Sequence, residues 1–289
     1  MNNKLLSFGH GYSAYALEKL LSLDTWKISA TTRDWKKAKV INERKLSAFI
    51  WPGADLRTEI ENATHILLSI APNTDGDPIF LEYGAAIATS KNLKWIGYLS
   101  TTGVYGNHNG EWVDENTLLQ PTTERGKKRV LAERQWLELA KENALPLNIF
   151  RLAGIYGLGR GPFSKVLAGT AKRIIKKGQV FSRIHVDDIA QILLASINKP
   201  NLVGIYNVCD DLAAPPEDVL SYAAKLLKKE IPPKIDFLKA DMSEMARSFY
   251  AESKKVDNKK IKTDLGVVLK YSNYKVGLEA LLAQEFRKS

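Results

Sequence analysis

The chain has 289 residues, 45% of them apolar and 26% charged, proportions that exclude a mainly disordered protein and leave ample material for a core. Its single cysteine, Cys209, excludes a disulfide framework and a cysteine metal cluster, which places the expected setting in the reducing cytoplasm. The formal net charge of +10 favours phosphate-bearing partners without saying which.

At the start of the chain the apolar stretch Leu5 to Phe8 is too short for a signal peptide or a membrane span. From there to about residue 151 short apolar runs alternate with segments of helical period, the rhythm of a parallel sheet covered by helices on both faces. Strands are predicted at Lys4 to Phe8, Trp26 to Thr32, Ser47 to Trp51, His65 to Ile70, Leu93 to Ser100 and Leu147 to Arg151, with helices at Tyr12 to Leu21, Ile79 to Ser90 and Thr123 to Asn143. In the first helix Ala14, Leu17, Leu20 and Leu21 form a stripe expected to face the sheet. Beyond residue 151 the rhythm is less regular: a Gly-rich turn at Gly157 to Gly161, helices at Pro162 to Lys177 and Asp187 to Asn198, a strand at Gly204 to Val208, and a helix opened by Pro215 and Pro216 and stopped before Pro232 and Pro233. The Lys-rich stretches Lys225 to Lys229 and Lys254 to Lys262 lack interleaved aromatics and read as solvated faces rather than as a nucleic-acid surface.

The first strand ends in Gly9-His10-Gly11-Tyr12-Ser13-Ala14. In a strand-turn-helix context this pattern forms a dinucleotide site: the first Gly makes the tight turn, the second lets the pyrophosphate approach, and small Ala14 lets the helix lie close. The helix start then faces the phosphates. The expected fold is therefore α/β, a Rossmann-type doubly wound parallel sheet. Cofactor choice falls to the end of the second strand, where Arg33 suits the 2′-phosphate of NADP. Asp34 could serve NAD or cap the next helix. Asp55 and Leu56 after the third strand are candidate adenine contacts, or Asp55 a helix cap, and Ser69, Ile70 and Ala71 after the fourth complete the expected cofactor set.

Leu99-Ser100-Thr101-Thr102-Gly103-Val104-Tyr105-Gly106 closes the fifth strand and resembles the Ser/Thr-x-x-Val-Tyr-Gly signature of the extended short-chain dehydrogenase/reductases, the NAD(P)-dependent epimerase/dehydratase family. Arg151 to Gly157 with Gly159-Arg160, Arg183 to Ala190, and Tyr206-Asn207-Val208 follow in the family's order. The resemblance covers residues 1 to about 210. It implies a cofactor domain over 1–160, rejoined by 178–210, and a smaller C-terminal substrate lobe from 161–177 and 211–289. It also implies chemistry on a nucleotide-sugar or another hydroxyl or carbonyl substrate, with Thr101 holding the substrate oxygen. The family's tyrosine and lysine four apart are missing. Arg125 and Arg129 stand in their places, and a guanidinium that stays protonated cannot act as the base. The chain thus resembles the atypical branch lacking that pair. Tyr105, His108, Glu111, Asp114 and Glu115 remain as acid/base candidates. His185 and Asp187 read as a helix cap, and the cluster Arg125, Lys127, Lys128 and Arg129 as either a grip for a phosphorylated substrate or a solvated face. No metal is expected. The expected partner is a small molecule, phosphorylated or nucleotide-linked, with a homodimer left open and neither membrane nor nucleic acid involved. A catalytically silent NADP-binding protein is the alternative to an enzyme, and a nucleic-acid binder resting on charge alone is the third reading.

Overall fold

A computed structural model describes residues 3–286. Seven strands form one sheet: β1 (Asn3–Phe8), β2 (Trp26–Thr32), β3 (Ser47–Ile50), β4 (His65–Leu68), β5 (Trp95–Thr101), β6 (Leu147–Leu152) and β7 (Gly204–Val208). Their spatial order is β7-β6-β5-β4-β1-β2-β3 and every neighbouring pair is parallel. Parallel strands need long crossovers, and here most of these are helical. The helices before β7 are α1 (Tyr12–Glu18), α2 (Trp35–Glu43), α3 (Arg57–Asn62), α4 (Pro78–Ala88), α5 (Glu124–Asn143), α6 (Phe163–Leu167) and α7 (Val186–Ile197). Those after it are α8 (Pro216–Leu226), α9 (Glu244–Phe249), α10 (Lys259–Thr263) and α11 (Tyr274–Phe286). This is the Rossmann-type α/β architecture that the sequence implies. The order reverses between β1 and β4, so the loops leaving β1, β4 and β5 open side by side at one sheet edge.

Strand alternation feeds two cores. Leu5 and Leu67 join Ala14, Leu17 and Ile189 on one face, while Leu6, Phe8, Ile66 and Leu68 join Ile79, Tyr83 and Trp136 on the other. In the predicted stripe of α1, Ala14, Leu17 and Leu21 are buried, but Leu20 lies past the helix end and is 47% exposed. A third core, with Tyr156, Phe163, Val166, Ala223, Tyr274 and Leu278, holds the smaller part of the molecule together.

The helix expected from Pro162 to Lys177 stops at Leu167. Gly169 takes a left-handed φ of +68°, and Arg173–Ile175 becomes a strand paired with Lys234–Asp236. Segment 211–289 does not belong wholly to the smaller core either, because Val256, Ile261, Leu265, Val267 and Leu269 pack with the sheet-side residues of α1 and α7. Two further short parallel pairs form, Gly154–Tyr156 with Arg183–His185 and, across a long stretch of chain, Trp112–Val113 with Lys255–Val256. Cys209 is fully buried at the end of β7, and its thiol donates to the Val256 carbonyl at 3.1 Å. Among the described residues no helix is long and apolar enough to cross a membrane, and no group of His, Cys, Asp and Glu is arranged to hold a metal ion.

Candidate active site

The turn after β1 is built for close approach. Gly9 has φ +76°, and a Cβ there would lie 2.6 Å from Cγ1 of Ile70, so another residue would be strained and crowded at once. A Cβ on Gly11 would meet only the Gly9 carbonyl oxygen, at 3.6 Å. The space beside Gly11 is open for a ligand. Ser69 fastens the turn from below, donating to the carbonyls of Phe8 at 2.9 Å and Gly9 at 2.5 Å. His10 turns its ring into the protein, within hydrogen-bond distance of Ser7 Oγ at 3.1 Å and Glu18 Oε2 at 2.7 Å. Arg44 closes that chain by donating to both Glu18 oxygens, at 2.7 and 2.9 Å. Burial lowers the His10 pKa, against the pull of Glu18. The His10 side chain thus braces the turn from inside. Tyr12 donates to the Leu158 carbonyl at 2.9 Å, tying the turn to the Gly157–Gly161 loop.

A cleft of about 660 Å³ runs from Gly9, Gly11, Ser69, Ile70 and Ala71 to Arg33 and Lys37 at its far end. Both cations are exposed there. Asp34 is employed as the cap of α2, its carboxylate accepting from the Lys36 N–H at 2.8 Å. Asp55 likewise accepts from the Arg57 N–H at the start of α3, and Leu56 is fully buried. Neither lines the cleft, where Trp51 and Pro52 form the wall at that point of the chain.

A second hollow of about 250 Å³ joins Gly9 to Ala14 with Ser100, Thr101, Arg129 and Arg160. Thr101 and Arg129 also line a pocket of about 390 Å³ between the two halves, together with Thr123, Arg125, Lys128, Phe181, Phe249, Glu252 and Lys254. Thr101 Oγ1 accepts from the Gly103 N–H at 3.2 Å, which leaves its hydroxyl hydrogen for an oxygen in the pocket. Arg129 donates to Tyr98 Oη at 2.9 Å and to the Leu99 carbonyl at 3.0 Å. The Arg125 guanidinium lies 4.7 Å from the Phe249 ring centroid.

The loop candidates for proton transfer do not reach this pocket. Tyr105, fully buried, donates to Asn207 Oδ1 at 2.7 Å and accepts from Arg151 Nη1 at 2.9 Å, and burial pushes its pKa up to about 12. It belongs to the packing beneath the site, with the buried Arg151–Glu133 ion pair at 2.8 Å and Ser100, which donates to Glu133. His108 Nε2 lies 3.1 Å from the Tyr105 carbonyl oxygen, Asp114 accepts from the Asn116 N–H at 3.0 Å, and Glu115 accepts from the Asn207 N–H at 2.7 Å. Glu111 is exposed and outside the pocket. His185 Nδ1 accepts from the Asp187 N–H at 3.1 Å and caps α7.

Lys254, expected on a solvated face, is instead 8% exposed in the pocket wall. Its Nζ donates to the Gly106 carbonyl at 2.6 Å and to Glu252 Oε2 at 2.8 Å. Glu252 also accepts from Thr122 Oγ1 at 2.8 Å. Burial lowers the lysine pKa while Glu252 pulls it back up. The signal that could have found this residue is the alternation of Glu252, Lys254 and apolar Val256, which places all three on one face of an extended segment.

Residues 85–209 match the model of the NAD dependent epimerase/dehydratase family. Among solved structures, a conserved protein of unknown function from Silicibacter pomeroyi DSS is 50% identical, with 99% of this chain and 100% of that chain covered and a TM-score of 0.91. UDP-glucuronic acid 4-epimerase from Bacillus cereus, in complex with NAD, is 17% identical with 98% and 99% covered and a TM-score of 0.76. dTDP-glucose 4,6-dehydratase from Bacillus anthracis str. Ames, also in complex with NAD, is 18% identical with 99% and 97% covered and a TM-score of 0.78. Among curated proteins none matches.

Proposed function

We propose, from the match of residues 85–209 to the NAD dependent epimerase/dehydratase family, that the chain is an NADP(H)-dependent oxidoreductase acting on a hydroxyl or carbonyl substrate that carries an anionic group, such as a nucleotide-sugar. The carrying observation is that Thr101 and Arg129 line both the hollow beside the glycine turn and the pocket between the halves. A cofactor and a substrate placed in the two would meet there.

The residues present suit a dinucleotide. Gly9 to Ala14 with Ser69, Ile70 and Ala71 would hold it, and the open side of Gly11 gives the pyrophosphate room. Arg33 and Lys37 would pair with a 2′-phosphate, while the commitment of Asp34 to α2 weakens the case for NAD. When bound, the nicotinamide supplies or accepts hydride. Thr101 orients the substrate oxygen through its hydroxyl. The pocket wall carries Arg125, Lys128, Arg129 and Lys254 against Glu252 alone, an excess of positive charge that supports an anionic substrate. A second reading, a cofactor-binding protein without turnover, is favoured by Arg125 and Arg129 at the family's tyrosine and lysine positions.

The test follows NADPH oxidation and NADP⁺ reduction across UDP-glucose, UDP-glucuronic acid, dTDP-glucose and phosphorylated ketones and aldehydes, using wild type and Thr101→Ala. The expected outcome is turnover of at least one compound, with kcat lowered about 10² to 10³-fold in the variant, as for loss of one donor to a reacting oxygen. Silence from wild type across the panel supports the second reading. Undiminished turnover by Thr101→Ala would move the active site elsewhere.

A further inference from the structure

An enzyme of this kind must move a proton on and off the substrate oxygen, and the family's tyrosine is replaced here by Arg125. Five charged side chains line the pocket that Thr101 enters: Arg125, Lys128, Arg129, Glu252 and Lys254. The two arginines stay protonated at working pH. Lys128, part-exposed on α5, has water on its open side, and Glu252 spends its oxygens on Lys254, Thr122 Oγ1 and the Thr122 N–H. Among the four cations Lys254 is buried, fixed in place and able to change charge, and buried Glu252 beside it is its ion-pair partner.

We propose that Lys254, with Glu252 as its counter-charge, is the catalytic residue that exchanges a proton with the substrate oxygen held by Thr101; this rests on the oxidoreductase reading above. An ammonium has three N–H bonds. The Gly106 carbonyl and Glu252 take two of them, and among the described residues nothing else accepts the third, on a side chain that lines the pocket. After that proton leaves, the neutral amine still has two N–H bonds for the same two partners. The site is therefore satisfied in both protonation states, and a proton transfer requires no rearrangement. In the direction of reduction, an N–H bond of Lys254 breaks as the alcohol O–H bond forms, and the carbonyl carbon is reduced by hydride from a dihydronicotinamide, which is oxidised. The amine then recovers its proton from water. Oxidation of an alcohol runs the same steps in reverse.

The electrostatics suit this exchange. Burial disfavours the ammonium, whereas Glu252 on the lysine's own segment favours it; Arg125, Lys128 and Arg129 of α5 line the same pocket. Among the described residues no other acidic side chain lines the pocket. Tyr105, which precedes Gly106, points its hydroxyl into the interior.

The first experiment needs neither cofactor nor substrate. Intact protein is labelled with trace acetic anhydride between pH 6 and 11, and each lysine's extent of reaction is read from peptides by mass spectrometry. Lys254 is expected to become reactive at lower pH than exposed Lys225 and Lys229, and at lower pH still in Glu252→Gln. A midpoint indistinguishable from those lysines overturns the proposal. So does a Lys254 that stays unreactive throughout, since a group that no pocket solute reaches cannot serve a substrate. The second experiment uses Lys254→Arg, which keeps the charge and the ion pair but cannot release a proton, with folding checked by thermal melt. On any compound that wild type turns over, kcat should fall about 10² to 10⁴-fold with KM little changed, and the pH-dependent limb of the profile should vanish. Retention of kcat within about threefold overturns the proposal. Wild-type silence on every compound removes the oxidoreductase reading instead, and the labelling result still decides whether Lys254 exchanges protons with the pocket.

Discussion

At the scale of single side chains, the proposed choice of NADP(H) rests on two cations. Arg33 and Lys37 stand four residues apart at the far end of the cofactor cleft, the first just past β2 and the second on α2. No carboxylate forms an ion pair with either among the described residues, although the Asp34 carboxylate, capping α2, lines the same cleft. Arg33→Ala is expected to weaken NADPH binding by about 1.5–3 kcal/mol, roughly 10 to 150-fold, and to leave NADH nearly unaffected, because only NADPH carries the 2′-phosphate. Fluorescence titration of both cofactors checks this, and an unchanged NADPH:NADH affinity ratio would remove Arg33 from the site. Arg129, by contrast, already spends its guanidinium on Tyr98 and the Leu99 carbonyl. That explains how a second arginine in place of the family's lysine is accommodated: one nitrogen bonds to β5 while the guanidinium still lines the pocket.

At the scale of elements, α2 bears on the two readings that the sequence leaves open for Asp34. Asp34 follows the cofactor-discriminating position, where an acidic residue could bond a ribose hydroxyl, yet its oxygen is on the Lys36 N–H. Asp34→Ala is therefore expected to cost about 1 kcal/mol of stability, the usual loss of an N-cap. It should leave the dissociation constants of both cofactors within about twofold, which separates capping from ribose binding. Urea unfolding and calorimetry check the two halves, and a selective loss of NADH binding would restore Asp34 to the site. The failure of the helix expected over Pro162 to Lys177 is also an element-scale effect. Gly169 breaks the run locally, but the strand Arg173–Ile175 exists because Lys234–Asp236 arrives from far along the chain to pair with it. No local pattern carries that information.

For the whole molecule, buried titratable groups set how stability depends on pH, and they act in opposite directions. Burial lowers the His65 pKa to about 4 and lowers that of His185 as well, so below the ordinary histidine value of 6.5 the unfolded chain binds protons that the folded chain refuses. Stability is therefore full above 6.5 and falls as the pH drops towards 4. Burial raises the Asp210 pKa to about 7 from its ordinary 3.8. Its folded state holds a proton that the unfolded state releases, and stability declines as the pH rises from about 4 through 7. His65→Phe should flatten the acid side of the profile, and Asp210→Asn should stabilise most above pH 7, by on the order of 2 kcal/mol. Urea midpoints from pH 4 to 8.5 test both, and parallel profiles for wild type and variants would contradict the assignment. What the sequence made legible follows the same division of scale. The glycine turn, Arg33 and Thr101 announce themselves because each depends on a strand end and its adjoining turn, a few consecutive residues. Lys254 does not, because its burial depends on Lys255–Val256 lying beside Trp112–Val113, more than a hundred residues earlier.

The fully buried Cys209 gives this dependence an observable. Its thiol donates to Val256, two residues beyond Lys254, and burial raises its pKa. A reagent in solvent can meet that sulfur only after an opening of the structure uncovers it, and lifting of the segment that carries Val256 is one such opening. As the only cysteine in the chain, it is a built-in clock for such opening: the rate at which a chromogenic disulfide consumes the thiol measures how often the core at the end of β7 is uncovered.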